Sequence, residues 1–499
     1  MRRKPPFDNN PHMCCPPHMG RSCLSLVLFL LVLACAPAEC AEHEFNAGVR
    51  GLIAAAGLKN AAVGVSVIDV EDGGVLCSIG DDALMTPASN VKLITTGCAL
   101  LRLGEKFEFT TSVYAAGRVD GDGTLAGDLV VVAGGDPAIS GREHGGETTA
   151  VFDAWAAEIA RSVNVVRGNL VIDDTIFDRQ YVHPAWPANQ LVRWYCAPVS
   201  AFALNDNCID VRVLPGAGPG EPARVLLDPP TRYFKIQNKC QTVASGKAAA
   251  YIHRLAGEDT LVISGKLTPK SAGAGSPVTV ANPAAYAAVV LRERLARAGV
   301  RVQGEIMLAG QAVDTGSAKL LASTSHSLVR AVETANKRSQ NFYAEMILKT
   351  MGHTVADRAS FADGVRAVAR QLDAAGIEEG SYVMDDGSGL SKQNAFSARQ
   401  FAAFLRHMAL SDQAEPFIGS LAVAGVDGTL KRRMGRPPYA GNVLGKTGHV
   451  RGVSALSGYV RSGDRLLAFS VLVNGNGLRQ AAADNLQDSI CRFLVDAQR

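Results

Sequence analysis

Ser89-Asn90-Val91-Lys92 heads the apolar run Leu93-Ile94-Thr95-Thr96-Gly97-Cys98-Ala99-Leu100-Leu101, and the pattern predicts a helix over Val91–Leu103. Residues three apart on a helix share a face, so the Lys92 amine reaches the Ser89 hydroxyl. A serine hydroxyl is a weak nucleophile until a neighbouring base takes its proton. A lysine is that base only where burial or a second cation disfavours its charged form. The Ser-x-x-Lys tetrapeptide is short, and on its own it reads equally as a surface helix start.

Further along, Val443-Leu444-Gly445-Lys446-Thr447-Gly448 reads as a buried strand, with Gly452–Tyr459 as the next strand of a sheet lining a cleft. The glycines would let a substrate backbone lie close. Lys446 would supply the second cation and, with Thr447, hold a carboxylate by charge and hydrogen bond. Ser339-Gln340-Asn341 lies on a loop before the helix Phe342–Lys349, where Ser339 would relay a proton and Asn341 orient Lys92 and the substrate amide. The tripeptide pattern recurs at Ser162-Val163-Asn164, where a turn or capping role fits better.

The 499 residues carry 50 Lys+Arg against 47 Asp+Glu, a net charge of +3, with 47% hydrophobic and 19% charged residues. That length needs more than one core, and the composition is globular. It excludes disorder, a collagen and a polytopic membrane protein, and the small charge argues against a nucleic-acid partner. The single long apolar run, Leu24–Leu33, follows Arg21 and precedes Ala36-Pro37-Ala38, which reads as an export signal, with Met19 as an alternative start. Cys35 offers a competing lipoprotein cleavage site, although Leu33 fits that pattern poorly. Six of the eleven cysteines remain after the leader, and a bridge among Cys196, Cys208 and Cys240 suits an oxidising compartment. Cys98 reads as a small buried hydrophobe.

By texture, Val63–Val70 predicts a strand, and 107–321 is mainly β apart from a helix at Val289–Arg297. Helices return at Asn341–Lys349 and Phe361–Ala375. Strands follow at Ala455–Val460 and Leu466–Val473, then a helix at Ala481–Val495. This predicts a catalytic domain split between the two ends of the chain.

The order Ser-x-x-Lys, Ser-x-Asn, Lys-Thr-Gly is the signature of β-lactamases and penicillin-binding proteins. The 250 residues between Ser89 and Ser339 are too many for a plain β-lactamase. Together with Gly134-Gly135-Asp136-Pro137, Asp174-Thr175-Ile176-Phe177, Ala197–Ala201 and Asp386-Gly387-Ser388-Gly389-Leu390-Ser391, they resemble the low-molecular-mass class C penicillin-binding proteins, peptidase family S13. The resemblance implies an α/β fold: a β-lactamase/transpeptidase-like catalytic domain, a sheet flanked by helices, with two β-rich domains inserted between the first two motifs. Mapped onto this chain, the leader is 1–41 and the catalytic domain 42–109 plus 328–499. The inserted domain II is 110–137 plus 233–327, and the nested domain III is 138–232.

It further implies a D-alanyl-D-alanine carboxypeptidase/endopeptidase, acylated by β-lactams and needing no cofactor or metal. Ser89 would be the nucleophile and Lys92 its base, with Ser339, Asn341, Lys446, Thr447 and Gly448 lining the cleft. The N–H groups of Ser89 and His449 would form the oxyanion hole. Asp174 would approach the free amine of the stem-peptide side chain, and the Asp386–Ser391 loop would be mainly turn structure. The partners would be the peptidoglycan stem peptide and β-lactams in the periplasm. Membrane contact would come only through a lipid anchor or peripheral binding, and the oligomeric state is open. A slowly turning-over penicillin sensor, or a serine esterase or D-aminopeptidase on the same fold, are the alternatives.

Overall fold

The computed structural model describes residues 36–497. The apolar run of the expected leader, Met19 and Cys35 therefore lie outside the described residues, and 36–38 begin the backbone of the Ala36–Ala55 helix. Among the described residues no helix is long and apolar enough to cross a membrane.

An antiparallel six-stranded sheet organises the catalytic unit, in the order Ala422–Val423, Val443–Val450, Val453–Ser462, Arg465–Asn474, Ala62–Asp69, Val75–Ile79. The chain's two ends meet at its centre, where Val65 pairs with Val471. Alternation along Val453–Ser462 serves two cores: Ala455 and Tyr459 face the packed helices, while Leu456 and Val460 face the closing helix Gln480–Asp496. The Val91–Leu103 helix is buried from Val91 through Leu100, so it is a central helix rather than a surface one. It ends where Gly104 turns to φ +82° and its N–H caps Leu100. Asn341–His353, likewise buried through Gly352, packs beside it. Ala398–Ala409, capped by Ser397 and Gln400, was not foreseen from the sequence.

The chain leaves this unit into Glu108–Val119 and returns through Lys319–Ser327 into the helix Leu328–Lys337, which Ser327 caps. Those two strands pair with each other in a seven-stranded mixed sheet. Thr124–Val132 pairs in parallel with Val165–Val166 and Leu170–Asp173 in that same sheet. An inner domain boundary at 138 is therefore corrected: residues 165–173 belong to the first inserted unit, along with the unforeseen helix Ala150–Ala160. Residues 208–279 supply two small sheets instead. One is Ala274–Thr279, Cys208–Leu214, Arg224–Asp228; the other is built on Thr260–Leu267. The expected assignment of 233–279 to the outer domain is corrected as well, because those strands pair with each other and with Cys208–Leu214.

The expected bridge among Cys196, Cys208 and Cys240 is not formed. Cys77, Cys98, Cys196, Cys208, Cys240 and Cys491 are free and buried. Each of the three fills its own place in the apolar core, and Cys98 is fully buried as a small hydrophobe.

Candidate active site

Ser89 lies in a 3₁₀ turn, Ala88–Asn90, which feeds directly into the Val91–Leu103 helix. Ala88 holds φ +47° and Ser339 φ +56°. These are left-handed conformations that cost non-glycine residues about 1–3 kcal/mol each and persist only where surroundings impose them. The imposing contacts are visible. A Cβ on Gly448 would stand 2.6 Å from the Pro87 carbonyl oxygen and 3.1 Å from Asn90 Oδ1, so the Lys446–Gly448 strand lies directly against the Ser89 turn. That glycine admits the turn itself, a role the sequence reading had given to substrate. Asn90 anchors the turn from below by donating to Ser457 Oγ at 2.6 Å.

Lys92 is fully buried, and its Nζ donates to Ser89 Oγ (3.0 Å), Asn341 Oδ1 (2.7 Å) and the Ser388 carbonyl (2.6 Å). Burial pushes its pKa down to about 7, against the opposing charges of Asp386 and Glu345. Asn341, held by donating to the Tyr195 carbonyl at 2.8 Å, thus joins the inserted segment to the lysine. Across the cleft Lys446 Nζ donates to Ser339 Oγ (2.8 Å) and to the Thr447 carbonyl (2.6 Å). Its pKa is lowered well below the ordinary lysine value by burial and by the charge on Lys92. The second cation sought for Lys92 is therefore present, but burial is what depresses Lys92. Thr447 Oγ1 donates to Thr429 Oγ1 at 3.0 Å.

The structure brings Ser89, Lys92, Ser339, Asn341, Lys446, Thr447 and Gly448 together. His449 follows on the same strand with its side chain 40% exposed and Nε2 3.1 Å from Asp484 Oδ1. The Asp174 side chain is only 2% exposed, and both oxygens face the Arg179 guanidinium. Ser162-Val163-Asn164 serves a turn, with Asn164 donating to the Asp122 carbonyl.

Glu345, missed from the sequence, and the Asp386–Ser391 loop, read there as mainly turn structure, complete the site. Glu345, fully buried, accepts the N–H groups of Gly387 (3.1 Å) and Ser388 (2.8 Å), and so fixes the carbonyl that receives the Lys92 proton donor. Burial, and then the charge on Asp386, push its pKa up to about 8. Asp386 accepts from Trp186 Nε1, the Gly389 and Ser391 N–H groups and Asn394 Nδ2. The Asp386–Ser391 loop is thus part of the site through Ser388. A carboxylate inside an apolar helix was the available signal for Glu345.

A half-buried serine on a buried lysine, against the Val443–Val450 strand and facing a second serine–lysine pair, defines an active-site-serine enzyme of the β-lactamase/transpeptidase fold. The chain belongs to the D-Ala-D-Ala carboxypeptidase 3 (S13) family, whose model matches residues 46–497. It is 35% identical to a D-alanyl-D-alanine carboxypeptidase of Actinomadura sp. (strain R39), over 91% of this chain and 85% of that one. It is 27% identical to the D-alanyl-D-alanine carboxypeptidase DacB of Haemophilus influenzae, over 83% of this chain and 85% of that one. The fold matches the crystal structure of penicillin binding protein 4 (dacB) from Haemophilus influenzae with a TM-score of 0.77 at 24% identity, covering 90% of this chain and 99% of that one.

Proposed function

We propose that Ser89 is the residue acylated when this enzyme removes the terminal D-alanine of peptidoglycan stem peptides. The observation that carries the reading is the Lys92 amine, buried, near pKa 7 and 3.0 Å from Ser89 Oγ. Ser89 Oγ attacks the carbonyl carbon of the penultimate D-alanine while Lys92 Nζ takes the hydroxyl proton. The oxyanion is held by the N–H groups of Ser89 and His449. Lys446 and Thr447 bind the substrate carboxylate. The proton passes through Ser339 to the departing amine, so the C–N bond breaks as D-alanine leaves. A water activated by Lys92 then splits the ester and restores Ser89.

A β-lactam enters by the same attack, but its leaving amine stays tethered and the ester persists. Asp174 has no part in this scheme. The chain works outside the cytoplasm, where the polymer lies, and the leader signal is the sequence support for that place. Labelled penicillin followed by peptide mapping is the test: label on Ser89, lost with D-alanine release in Ser89→Ala, is expected, and label that survives the substitution overturns the reading. Mass spectrometry of digested muropeptides separates loss of one alanine from cleavage of crosslinked dimers.

A further inference from the structure

The small sheet built on Thr260–Leu267 has two faces of opposite character. Leu261, Ile263 and Leu267 are buried on one. On the other, the register sets Lys235 opposite Thr260, Gln237 opposite Val262, Tyr251 opposite Ser264 and His253 opposite Val262. Strand alternation therefore places Lys235, Gln237, Tyr251, His253 and Lys266 together. Lys239, whose N–H bonds the Ile263 carbonyl at 2.7 Å, continues the row. All six are exposed, Tyr251 at 66%, and the strands present no carboxylate on this face. Among the described residues none of these side chains makes a hydrogen bond or ion pair. Some exposed cations elsewhere are paired, as Arg399 is with Asp81 and Arg330 with Glu143.

We infer that this face docks a peptide-substituted glycan strand, the polymer that displays the peptide substrate and carries its free carboxylates on those peptides; the inference rests on the function proposed above. A bare tyrosine ring offers a flat apolar platform for a sugar ring, with a hydroxyl at its rim. The Gln237 amide supplies donors and an acceptor for hydroxyl and acetamido groups. Unpaired lysines are point charges for carboxylates, and Lys235, Lys239 and Lys266 outnumber the one acid at the edge of the face, Glu258, which accepts from Thr260. A bilayer is a poorer occupant, since interfacial binding buries several large apolar side chains and this face offers one. The same inserted body reaches the cleft. Thr279 donates to the Leu191 carbonyl at 2.6 Å, a few residues before Tyr195, whose carbonyl holds Asn341.

The test is co-sedimentation of the full chain with purified peptidoglycan sacculi, alongside sacculi whose carboxyls have been amidated. Salt-sensitive binding is expected, weaker on amidated sacculi. Charge reversal at Lys235, Lys239 and Lys266 (K235E/K239E/K266E) should weaken it about tenfold or more, the sum of several exposed charge contacts. Tyr251→Ala should weaken it severalfold. Circular dichroism and turnover of a short soluble acyl-D-Ala-D-Ala peptide establish that the variants are folded. Equal sedimentation of the triple variant, no sedimentation of wild type, or binding to anionic vesicles or an oligonucleotide in preference to sacculi would each overturn the inference. Failure of the soluble peptide to turn over in wild type would instead remove the proposed function, and sedimentation would still read out separately.

Discussion

The Glu345 carboxylate receives the Ser388 N–H at 2.8 Å, and the carbonyl of that same Ser388 receives the Lys92 amine at 2.6 Å. The proposed base is thus aimed through a peptide group whose other side is held by a buried acid, from a helix 43 residues earlier in the chain.

Replacing Glu345 by Gln keeps the shape but leaves one of the two N–H groups without its acceptor, a cost of about 1–3 kcal/mol for a buried donor. Because burial holds the Glu345 pKa up at about 8, the acid is largely protonated where Lys92 titrates, at about 7. The acylation rate should therefore fall severalfold at its plateau with little change in the position of its pH profile. An unchanged plateau would show that Glu345 acts on stability alone.

Lys92→Arg keeps the charge but supplies no neutral nitrogen near pH 7. Penicillin acylation should drop by roughly 10²–10⁴, the range of general-base catalysis. In wild type the rate should climb with pH up to about 7, where Lys92 loses its proton, and then level. Stopped-flow acylation across pH 5–9 measures both.

Gly389 and Gly376 both sit in left-handed backbone, at φ +78° and +76°. A Cβ on Gly389 would stand 1.9 Å from the Ala88 carbonyl oxygen, whereas one on Gly376 meets nothing within 4 Å. Gly376→Ala should lower stability by about 1 kcal/mol through backbone strain and leave acylation intact. Gly389→Ala should displace the Ser89 turn and abolish acylation. Tm and penicillin labelling, measured together, distinguish the two.

His326 Nδ1 stands 2.6 Å from the buried carboxyl of Asp136, where the chain passes back into the catalytic unit. The His326 ring pKa is raised by that bond, then lowered by burial and raised again by the charges of Asp136 and Glu143. The neighbouring His144 ring meets it edge-on. Because the folded pKa lies above the free value, this stabilisation is complete below about pH 6.5 and is lost as pH rises through the folded value. The Tm advantage of wild type over His326→Asn should therefore narrow between pH 6 and 9. A gap constant with pH would mean the ring acts only by packing.

The sequence made the nucleophile helix legible because Val91–Leu103 is a long apolar run with a glycine stop, and the strands Val453–Ser462 and Arg465–Asn474 because their middles are mostly apolar. The first turn of Pro283–Arg297 was missed, although Asn282 caps it and Pro283 fits its first position. Ala398–Ala409 carried a Ser-x-x-Gln capping signal that went unread. Glu345 stood out only as a carboxylate inside an apolar helix, and the roles of Glu345 and Asp386 show only in their burial among the backbone N–H groups of the 387–391 segment. The inner boundary failed for a related reason: parallel partners such as Leu129 and Leu170 bear no local sign of pairing. The pairing of Asp174 with Arg179 went unseen because an acidic residue in a turn looks alike whether it faces solvent or a guanidinium.

The Asp69–Arg465 ion pair spans 396 residues, and it sits on the central strand pair of the catalytic sheet. A chain emerging from its N-terminus cannot complete that sheet until nearly its whole length has been delivered. The inserted units, whose strands pair mostly within themselves, can condense first and bring the two ends together, which removes most of the entropy of closing so long a loop. Birth of the active site is thereby deferred to the end of synthesis. A chain stopped before Arg465 would carry Ser89, Lys92, Ser339 and Lys446 and still be inert.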